Sequence, residues 1–399
     1  MPIEKKQSLL GYYQEHEVNP VLIRVEDDRE WKTHVRRRRN LYTNHLMIPP
    51  VSFKGAAVLE FGCNSGENAL FLASLGARLT LVEPNHKVLP RLKDLFKRFG
   101  FEDRIDRIEN RTIEAFDSEE AFDVVIVEGF LHTLASRDEL LSKICGLLRP
   151  GGVGVISYDD LYGSLIELIR VMLLHQICRL KKISELHSQS AYGIAQALFE
   201  EDFNRINASR SFQSWWMDNL VNPFTASEYF WRYQDIIPII EKRECCFHSC
   251  SPKWTDFDNY SWYKNVPSIR QRHLSLLEDW NRKFVFFLTG IPLSDRTIPS
   301  ASREVVDSVS QLIQNISRFI SHRGDSPESI CFPAELVDYL YNTGSGKIQR
   351  FGKSLQHLFR SLQTADADQL MDEYQALHDI RNLWGSALNY ICFTKLDAI

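Results

Sequence analysis

The sequence lacks any uncharged apolar run long enough to cross a membrane. The nearest candidate, Leu165 to Leu180, is interrupted by Glu167, Arg170 and Arg179. A membrane-spanning helix needs about 18 or more apolar residues with few charges, so this stretch is predicted to be an amphipathic helix of a folded domain. The N-terminal sequence also lacks the long apolar core of a secretion signal. We therefore expect no membrane span.

The cysteines lack the regular spacing of a disulfide framework. Eight cysteines are scattered along 399 residues, which favours free thiols and a cytoplasmic location. The densest group is Cys245, Cys246, His248 and Cys250. In a strand, residues 246, 248 and 250 share one face and no second ligand pair lies nearby, so the pattern predicts a packed strand and no metal site.

A strong basic excess is also absent. The net charge is -5 and the isoelectric point is about 6.2, so nucleic acid is an unlikely partner on charge alone. The densest basic run is Arg36 to Arg39. On a helix these side chains splay around the axis, and they are interpreted as a solvated face. The alternative is that Arg39 reaches the cofactor or the substrate.

Alternating strand and helix patterns cover the first part of the chain after the Pro49-Pro50 breaker. Short apolar runs separated by helical stretches predict a doubly wound α/β fold whose sheet is mostly parallel. Five segments are predicted. They are a helical N-terminal cap (residues 1–52), a Rossmann-like core (53–160), a helical lid insertion that recognises the substrate (161–224), a segment that completes the core sheet (225–295) and an all-helical C-terminal region (296–399). Phe284 to Leu288 is predicted to be one of the completing strands.

The loop after the first strand predicts a ligand site. Gly62 and Gly66 give room for a tight turn that leads into a helix, and Asn64 is one of the few residues that tolerate left-handed backbone angles. Such a turn directs backbone N–H groups to a ligand at the carboxyl edge of the sheet. The Glu60-x-Gly62-x-x-x-Gly66 spacing differs from the G-x-G-x-x-G fingerprint of dinucleotide dehydrogenases.

Two carboxylates refine this prediction. Glu83 ends the second strand, where it can accept hydrogen bonds from both ribose hydroxyls of an adenosine. Glu60 stands just before the loop and favours a ligand with a cationic amino group. Together they favour S-adenosylmethionine over a nicotinamide dinucleotide.

Four segments, in order and spacing, resemble the motifs of class I S-adenosylmethionine-dependent methyltransferases: Val58 to Gly66, Leu81 to Pro84, Phe122 to Val125 and Leu147 to Gly152. The resemblance implies a seven-stranded sheet, S-adenosylmethionine as cofactor, and methyltransferase activity. The sequence around Arg39 to Tyr42 further resembles N-terminal caps of bacterial methyltransferases from biosynthetic clusters.

The resemblance also implies roles for individual residues. Glu60 would anchor the amino group of the methionine portion, and Glu83 would hold the ribose. Backbone groups of Thr112 and Ile113 would contact the adenine. The cofactor-binding set predicted in this way is Glu60, Gly62, Cys63, Asn64, Gly66, Glu83, Pro84, Thr112, Ile113, Glu128 and Gly129.

Three residues at the same edge of the sheet are candidates for chemistry on the acceptor. His132 follows the fourth strand and is a candidate general base, while Tyr158 and Asp159 follow the fifth strand, where substrate groups are commonly placed. A packing or hydrogen-bonding role is the alternative for His132, and ordinary loop chemistry is the alternative for the other two.

The leading functional prediction is methyl transfer to a small biosynthetic acceptor, such as a sugar, a natural product or a lipid-linked precursor, with oxygen slightly favoured over nitrogen as the methylated atom. One alternative is an RNA or protein methyltransferase. Another is a non-catalytic scaffold that binds S-adenosylmethionine. The C-terminal helices are predicted to pack or to form a homodimer.

Overall fold

The computed structural model describes residues 8–16, 27–206, 208, 210–255, 264–292, 298–321 and 330–397. The chain divides into two compact units. The sheet unit comprises Met1–Tyr158, Tyr233–Leu274 and Asn389–Ile399, and the helical unit comprises Asp159–Arg232 and Ser275–Leu388. Each unit is therefore assembled from segments that are separated in the sequence.

A seven-stranded sheet forms the centre of the sheet unit. Its strands are β1 (Ala57–Phe61), β2 (Arg78–Val82), β3 (Ile105–Glu109), β4 (Phe122–Val127), β5 (Leu148–Asp159), β6 (Cys245–Ser251) and β7 (Leu388–Lys395). The strand order is β3-β2-β1-β4-β5-β7-β6. β1 pairs in parallel with both β2 and β4, whereas β6 and β7 are antiparallel. The mostly parallel Rossmann-like sheet predicted from the sequence is confirmed.

The order of the strands reverses at β1, because the chain builds the sheet first to one side of β1 and then, from β4, to the other. Ligands of open α/β sheets bind at such a switch point, outside the carboxyl ends of the strands. Leu59 of β1 and Val125 of β4 are fully buried, as expected for strands covered on both faces. The carboxyl ends of β1, β2 and β4 thus define the edge where a ligand site is expected.

The other elements of the sheet unit are helical. They are α1 (Leu9–His16), α2 (Asp28–Arg39), a π-helical turn (Asn40–His45), three 3-10 turns (Pro50–Phe53, Glu102–Arg104 and Leu131–Thr133), α3 (Glu67–Ser74), α4 (Leu89–Phe99), α5 (Arg137–Gly146) and α9 (Tyr233–Lys242). Asp27 caps α2 by accepting hydrogen bonds from the N–H groups of Arg29 and Glu30. The described part of the N-terminal segment is helical, as predicted.

Helices make up the helical unit. They are α6 (Leu165–Leu180), α7 (Gln189–Asn204), α8 (Phe212–Trp215), a π-helical turn (Trp216–Leu220), α10 (Ile269–Arg282), which begins in the sheet unit, α11 (Phe284–Thr289), α12 (Arg303–Ser321), α13 (Ala334–Asn342), α14 (Gly346–Thr364), α15 (Ala367–Ala376) and α16 (His378–Arg381). α6 is buried around most of its circumference, Arg170 included, so it is a central helix and the amphipathic interpretation is wrong. No helix in the described residues is long and apolar enough to span a bilayer.

The sequence-based prediction fails at two places in the second half of the chain. Phe284–Leu288, predicted to be a strand, lies in α11, where Phe284 packs edge-on against Trp280 of α10. Burial in a helical environment overrides the β-propensity of Val and Phe. Conversely, β7 comes from the region predicted to be all-helical. Gly385, with φ of 67°, follows the helical tract, and the apolar run after it pairs with β6.

Candidate functional site

The loop between β1 and α3 turns on three left-handed residues. Gly62, Asn64 and Gly66 have φ angles of 68°, 48° and 90°. The Gly62 N–H donates to the carbonyl of Val82 at 2.8 Å, which ties the loop to the end of β2. A Cβ atom on Gly62 would lie 2.5 Å from Cε1 of Phe130, so no other residue fits there without displacing that ring. The tight turn that the glycine spacing predicts is therefore present.

Glu83 fixes this loop from the neighbouring strand. Its carboxylate accepts the backbone N–H of Asn64 at 2.8 Å and that of Asn85 at 2.7 Å, on different oxygens. Burial raises the pKa of Glu83, and these two N–H donors partly offset that shift. Each oxygen retains a further lone pair. The carboxylate is thus held in place, with acceptor capacity for a ligand.

Glu60 is buried, and one of its carboxyl oxygens lacks a hydrogen-bond partner among the described residues. Only 3% of the residue is exposed, and Oε2 has no hydrogen-bond partner among the described residues. Burial, followed by the nearby carboxylate of Glu128, raises the pKa of Glu60 to about 8, against the opposing charge of Arg38. A buried carboxyl group without a donor costs free energy unless a ligand supplies one. The group fits a ligand that carries an ammonium or amino group.

Asn110 is a residue of this site that the sequence analysis did not identify. Its side-chain amide donates to the carbonyls of Glu83 at 2.8 Å and of Pro84 at 3.1 Å, and so it fixes the turn after β2. Its position directly after β3 was the available signal. Among the residues predicted nearby, Thr112 is exposed, and the carbonyl of Ile113 accepts a hydrogen bond from Lys143 Nζ at 3.3 Å.

Glu128, at the end of β4, is held by residues of the chain itself. Arg38 Nη1 donates to Oε2 at 2.7 Å and Nη2 donates to Oε1 at 2.5 Å. The hydroxyls of Tyr42 and Tyr390 each donate to the same carboxylate at 3.2 Å. Burial alone would raise the pKa of Glu128, but Arg38 and the two hydroxyls outweigh it and lower the pKa. The predicted cofactor residue Glu128 is therefore the centre of a buried ionic cluster.

Arg38 corrects the interpretation of the arginine run. Arg36, Arg37 and Arg39 are exposed, whereas Arg38 is only 7% exposed and pairs with Glu128. Consecutive helical residues point in directions about 100° apart, so four of them cover the whole circumference and one must face inward. The solvated-face interpretation is thus wrong for Arg38.

The remaining predicted residues lie near the carboxyl ends of β4 and β5. Gly129 has φ of 84° and its N–H donates to Ser157 Oγ at 2.7 Å. His132 is buried in the 3-10 turn after β4. Tyr158 is buried in β5, and Asp159, half-buried, is the first residue of the helical unit. Cys63 is buried within the loop, and burial raises the pKa of its thiol.

The described residues contain no cluster of three or more His, Cys, Asp or Glu side chains that could hold a metal ion. Three features of this edge can bind a ligand: the carboxyl of Glu60, whose Oε2 has no hydrogen-bond partner among the described residues, the fixed carboxylate of Glu83, and the left-handed loop between them. A ligand that carries both an amino group and a nucleoside with its ribose could bind to all three. S-adenosylmethionine carries both groups, so these residues fit it.

Comparison with known proteins gives an independent test. Residues 59–153 match the family described as "Methyltransferase domain". Protein arginine N-methyltransferase 6 of Danio rerio is 30% identical over 128 residues, which are 31% of this chain and 36% of that protein. Thiol S-methyltransferase TMT1A of Homo sapiens is 27% identical over 121 residues, 29% of this chain and 47% of that protein. The chain thus spans about a third to a half of the length of these relatives.

Similar solved structures include N-methyltransferase NodS from Bradyrhizobium japonicum in complex with S-adenosyl-L-homocysteine, with 22% identity and a TM-score of 0.30 over 37% of this chain and 74% of that chain. The glycopeptide N-methyltransferase MtfA complexed with sinefungin has 21% identity and a TM-score of 0.28 over 33% of this chain and 56% of that chain. The matched family segment runs from β1 into β5 and includes the Gly62–Gly66 loop and Glu83. The segment from residue 59 to residue 153 is therefore a methyltransferase domain.

Proposed function

We propose that this chain is an active S-adenosylmethionine-dependent methyltransferase with a small-molecule acceptor. The observation that carries the donor assignment is the buried carboxyl of Glu60 with its unmatched oxygen, next to a left-handed loop that Glu83 holds in place. When bound, S-adenosylmethionine supplies an electrophilic methyl group on a sulfonium centre. Glu60 binds its amino group, Glu83 binds the ribose hydroxyls, and the backbone of Cys63 and Asn64 lines the methionine portion.

The other predicted cofactor residues have supporting roles in this proposal. Gly62 and Gly66 give the loop its close approach, and Pro84 continues the turn that Asn110 fixes. Thr112 and Ile113 present backbone groups to the adenine, and Gly129 lies beside the reacting centre. His132 and Tyr158 are proposed to contact the acceptor in the sheet unit, where both are buried.

The state of Glu128 favours a small acceptor over a protein arginine. Binding a substrate guanidinium requires an available carboxylate, because the planar guanidinium pairs with carboxylates through two parallel hydrogen bonds. Both oxygens of Glu128 already receive such a pair from Arg38. A substrate arginine would have to displace Arg38 from a buried pair, which is costly.

Protein arginine methylation remains the second candidate, because the similarity to protein arginine N-methyltransferases extends over 118 to 135 residues. The two candidates differ in where the methyl group goes. Labelled methyl donor offered to fractionated cell extract is expected to label the low-molecular-weight fraction. Labelling of protein instead, in a form that yields methylarginine on hydrolysis, would establish the second candidate.

Donor binding is tested separately by calorimetry on the full chain. We expect S-adenosylmethionine and S-adenosylhomocysteine to bind and NAD not to bind, with affinity strongly reduced in Glu83→Ala. Glu102→Ala, an exposed acid of the same unit, is the matched control and should leave affinity unchanged. If neither adenosyl compound binds, the donor assignment is wrong. If they bind tightly but no fraction is labelled, a non-catalytic scaffold is the better description.

We also propose a reducing, cytoplasmic location. Its support is that none of the eight cysteines, all of them described by the structure, is joined in a disulfide and that seven of them are buried, which suits a compartment that keeps thiols reduced. Dimerisation through the C-terminal helices stays a prediction.

A further inference from the structure

Two buried cysteines of the sheet unit lie in contact through their sulfur atoms. Cys145 is in the last turn of α5 and Cys245 is the first residue of β6, and both are fully buried. Their thiols are hydrogen-bonded to each other, with Cys145 donating to Cys245. The Cys245 thiol in turn donates to the carbonyl of Arg243 at 3.5 Å. Two cysteines that are far apart in the sequence are thus brought together inside one unit.

A second contact holds the same two segments together. Arg243 Nε donates a hydrogen bond to Ser142 Oγ. Ser142 lies one helical turn before Cys145, and Arg243 lies two residues before Cys245, so this bond fixes the end of α5 beside the start of β6. Both partners of the bond reach solvent. The proximity of the two sulfur atoms is therefore supported by a neighbouring contact at the surface of the unit.

The surroundings of Cys245 favour its thiolate form. Lys395, the cross-strand partner of Cys245 in β7, donates from Nζ to the Arg243 carbonyl at 2.5 Å. The hydrogen bond from Cys145 lowers the pKa of the Cys245 thiol, and the charge of Lys395 lowers it further, while burial and the carboxylate of Glu244 oppose both effects. The thiolate is the form of cysteine that reacts with oxidants. Cys245 is therefore the more nucleophilic member of the pair.

We propose that Cys145 and Cys245 are a redox modification site that forms a disulfide when the protein is exposed to a peroxide. The Cys245 thiolate attacks one oxygen of hydrogen peroxide, the O–O bond breaks, and a sulfenic acid forms while the leaving hydroxide takes up a proton to give water. The Cys145 sulfur then attacks the sulfenic sulfur, the S–S bond forms, the S–O bond breaks, and the leaving hydroxide accepts the Cys145 proton. Two thiols and one hydrogen peroxide give one disulfide and two water molecules.

The cysteine pair lies at the end of the sheet opposite the donor-binding residues. Cys145 comes just before β5, which is parallel to β4, so it lies near the amino ends of these strands, whereas Glu60 and Glu83 lie at the carboxyl ends of β1 and β2. The disulfide would join α5 to β6, the strand at the edge of the sheet. Such a cross-link restricts the unfolded chain. Oxidation should therefore stabilise the sheet unit and leave the donor site unchanged.

Peptide mapping of the full chain tests the site. Cys331→Ser removes the exposed cysteine, and this variant is treated with hydrogen peroxide, alkylated in denaturant and digested without reductant. We expect mass spectrometry to find the peptides that contain Cys145 and Cys245 joined, and dithiothreitol to separate them. Cys245→Ala in the same background should abolish the link. Cys246→Ala, at the neighbouring buried cysteine, is the matched control and should leave the link intact.

Absence of the link after peroxide treatment would overturn the inference, whether the two cysteines stay reduced or are oxidised separately to sulfinic acids. A link that persists in Cys245→Ala would also overturn it. Lys395→Met removes the neighbouring cation and should slow formation of the link about threefold or more, whereas Lys395→Arg should largely retain the rate. Equal rates in the two lysine variants would contradict the role of this charge.

Urea denaturation and calorimetry measure what the disulfide does. We expect oxidation to raise the urea midpoint of the Cys331→Ser chain but not that of its Cys245→Ala variant, and to leave the affinity for S-adenosylhomocysteine unchanged. A midpoint that stays the same or falls, or donor affinity lost on oxidation, would overturn this consequence. The inference is independent of the proposed function: failure of both forms to bind the donor would count against that function alone, and absence of the link would count against this inference alone.

Discussion

At the scale of single residues, the protonation state of Glu60 links donor binding to pH. With a pKa of about 8 in the free protein, the Glu60 carboxyl is largely protonated at pH 7. An ammonium group bound beside it favours the ionised form. Donor binding at pH 7 should therefore release up to about one proton, and affinity should rise as the pH increases from about 6 to 8 and then level off.

Calorimetry in buffers of different ionisation enthalpy measures this proton release. Glu60→Gln cannot release the proton, so its binding enthalpy should no longer depend on the buffer in this way. Glu102→Gln, exposed on the same unit, should behave like the unaltered protein. Proton uptake on binding, or unchanged release in Glu60→Gln, would contradict the assignment of Glu60 to the amino group.

Gly62→Ala is expected to disable the loop. The backbone at this position has φ of 68°, and the added Cβ would lie 2.5 Å from the Phe130 ring, so either the loop or the ring must move. We expect a loss of stability of about 1–3 kcal/mol in urea denaturation and a large loss of donor affinity. Gly193→Ala, where the added Cβ meets nothing within 4 Å, should be neutral or slightly stabilising. Normal donor binding by Gly62→Ala would argue against the close-approach role.

The same residues show how far the sequence could lead. The left-handed turn at Gly62 and Gly66 was predictable from local turn geometry, and the positions of Glu60 and Glu83 were predictable from the ends of the strands. Arg38 was not, because the sequence alone does not reveal which member of an arginine run faces inward. Partner choice between distant residues depends on tertiary packing, and the pairing of Arg38 with Glu128 joins residues 90 positions apart.

At the scale of elements, the Arg38–Glu128 pair links α2 to the end of β4. Removing one partner of a buried ion pair leaves the other charge unpaired and typically costs about 3–5 kcal/mol. We expect Arg38→Met to lower the free energy of unfolding by about that amount in urea denaturation. Adding Glu128→Gln to Arg38→Met should restore part of the loss, because the uncompensated charge is gone.

Arg39→Met is the control for this experiment, since Arg39 is exposed on the same helix and its removal should cost less than about 0.5 kcal/mol. If Arg38→Met were as stable as Arg39→Met, the pair would not be structural. A double variant no more stable than Arg38→Met would contradict the proposed charge relief.

Elements were predicted best where their apolar pattern was unambiguous. β1, β2 and β4 are short, mostly buried runs followed by turns or helices, and their parallel arrangement follows from the alternation of strands with helices. Phe284–Leu288 and the run in β7 have similar compositions, yet the first lies in α11 and the second in a sheet. Short apolar runs do not distinguish a buried helix from a buried strand, so the surroundings decide.

At the scale of the whole molecule, the sheet unit depends on a segment far along the chain. Phe393 of β7 is fully buried, and its ring fills the space where a side chain on Gly154 of β5 would lie. We expect Phe393→Ala to lower the free energy of unfolding by about 3–5 kcal/mol and to weaken donor binding in parallel with unfolding. Urea denaturation with and without S-adenosylhomocysteine measures both effects.

Leu396→Ala provides the comparison, because Leu396 is 38% exposed and its truncation should cost less than about 1 kcal/mol. Equal stability of the two variants would mean that β7 contributes little to the sheet. A large loss confined to Phe393→Ala would establish that the donor-binding unit needs its distant strand.

The position of β7 in the chain has a consequence during synthesis. β1 to β5 leave the ribosome early, but β7, which lies between β5 and β6 in the sheet, emerges more than 200 residues after β5. Until then β5 and β6 lack their partner, and their open edges are competent for mispairing or chaperone capture. A chain whose synthesis ended before Leu388 would therefore lack the strand that joins β5 to β6 in the sheet. The order of translation thus delays completion of the donor-binding unit until most of the helical unit already exists.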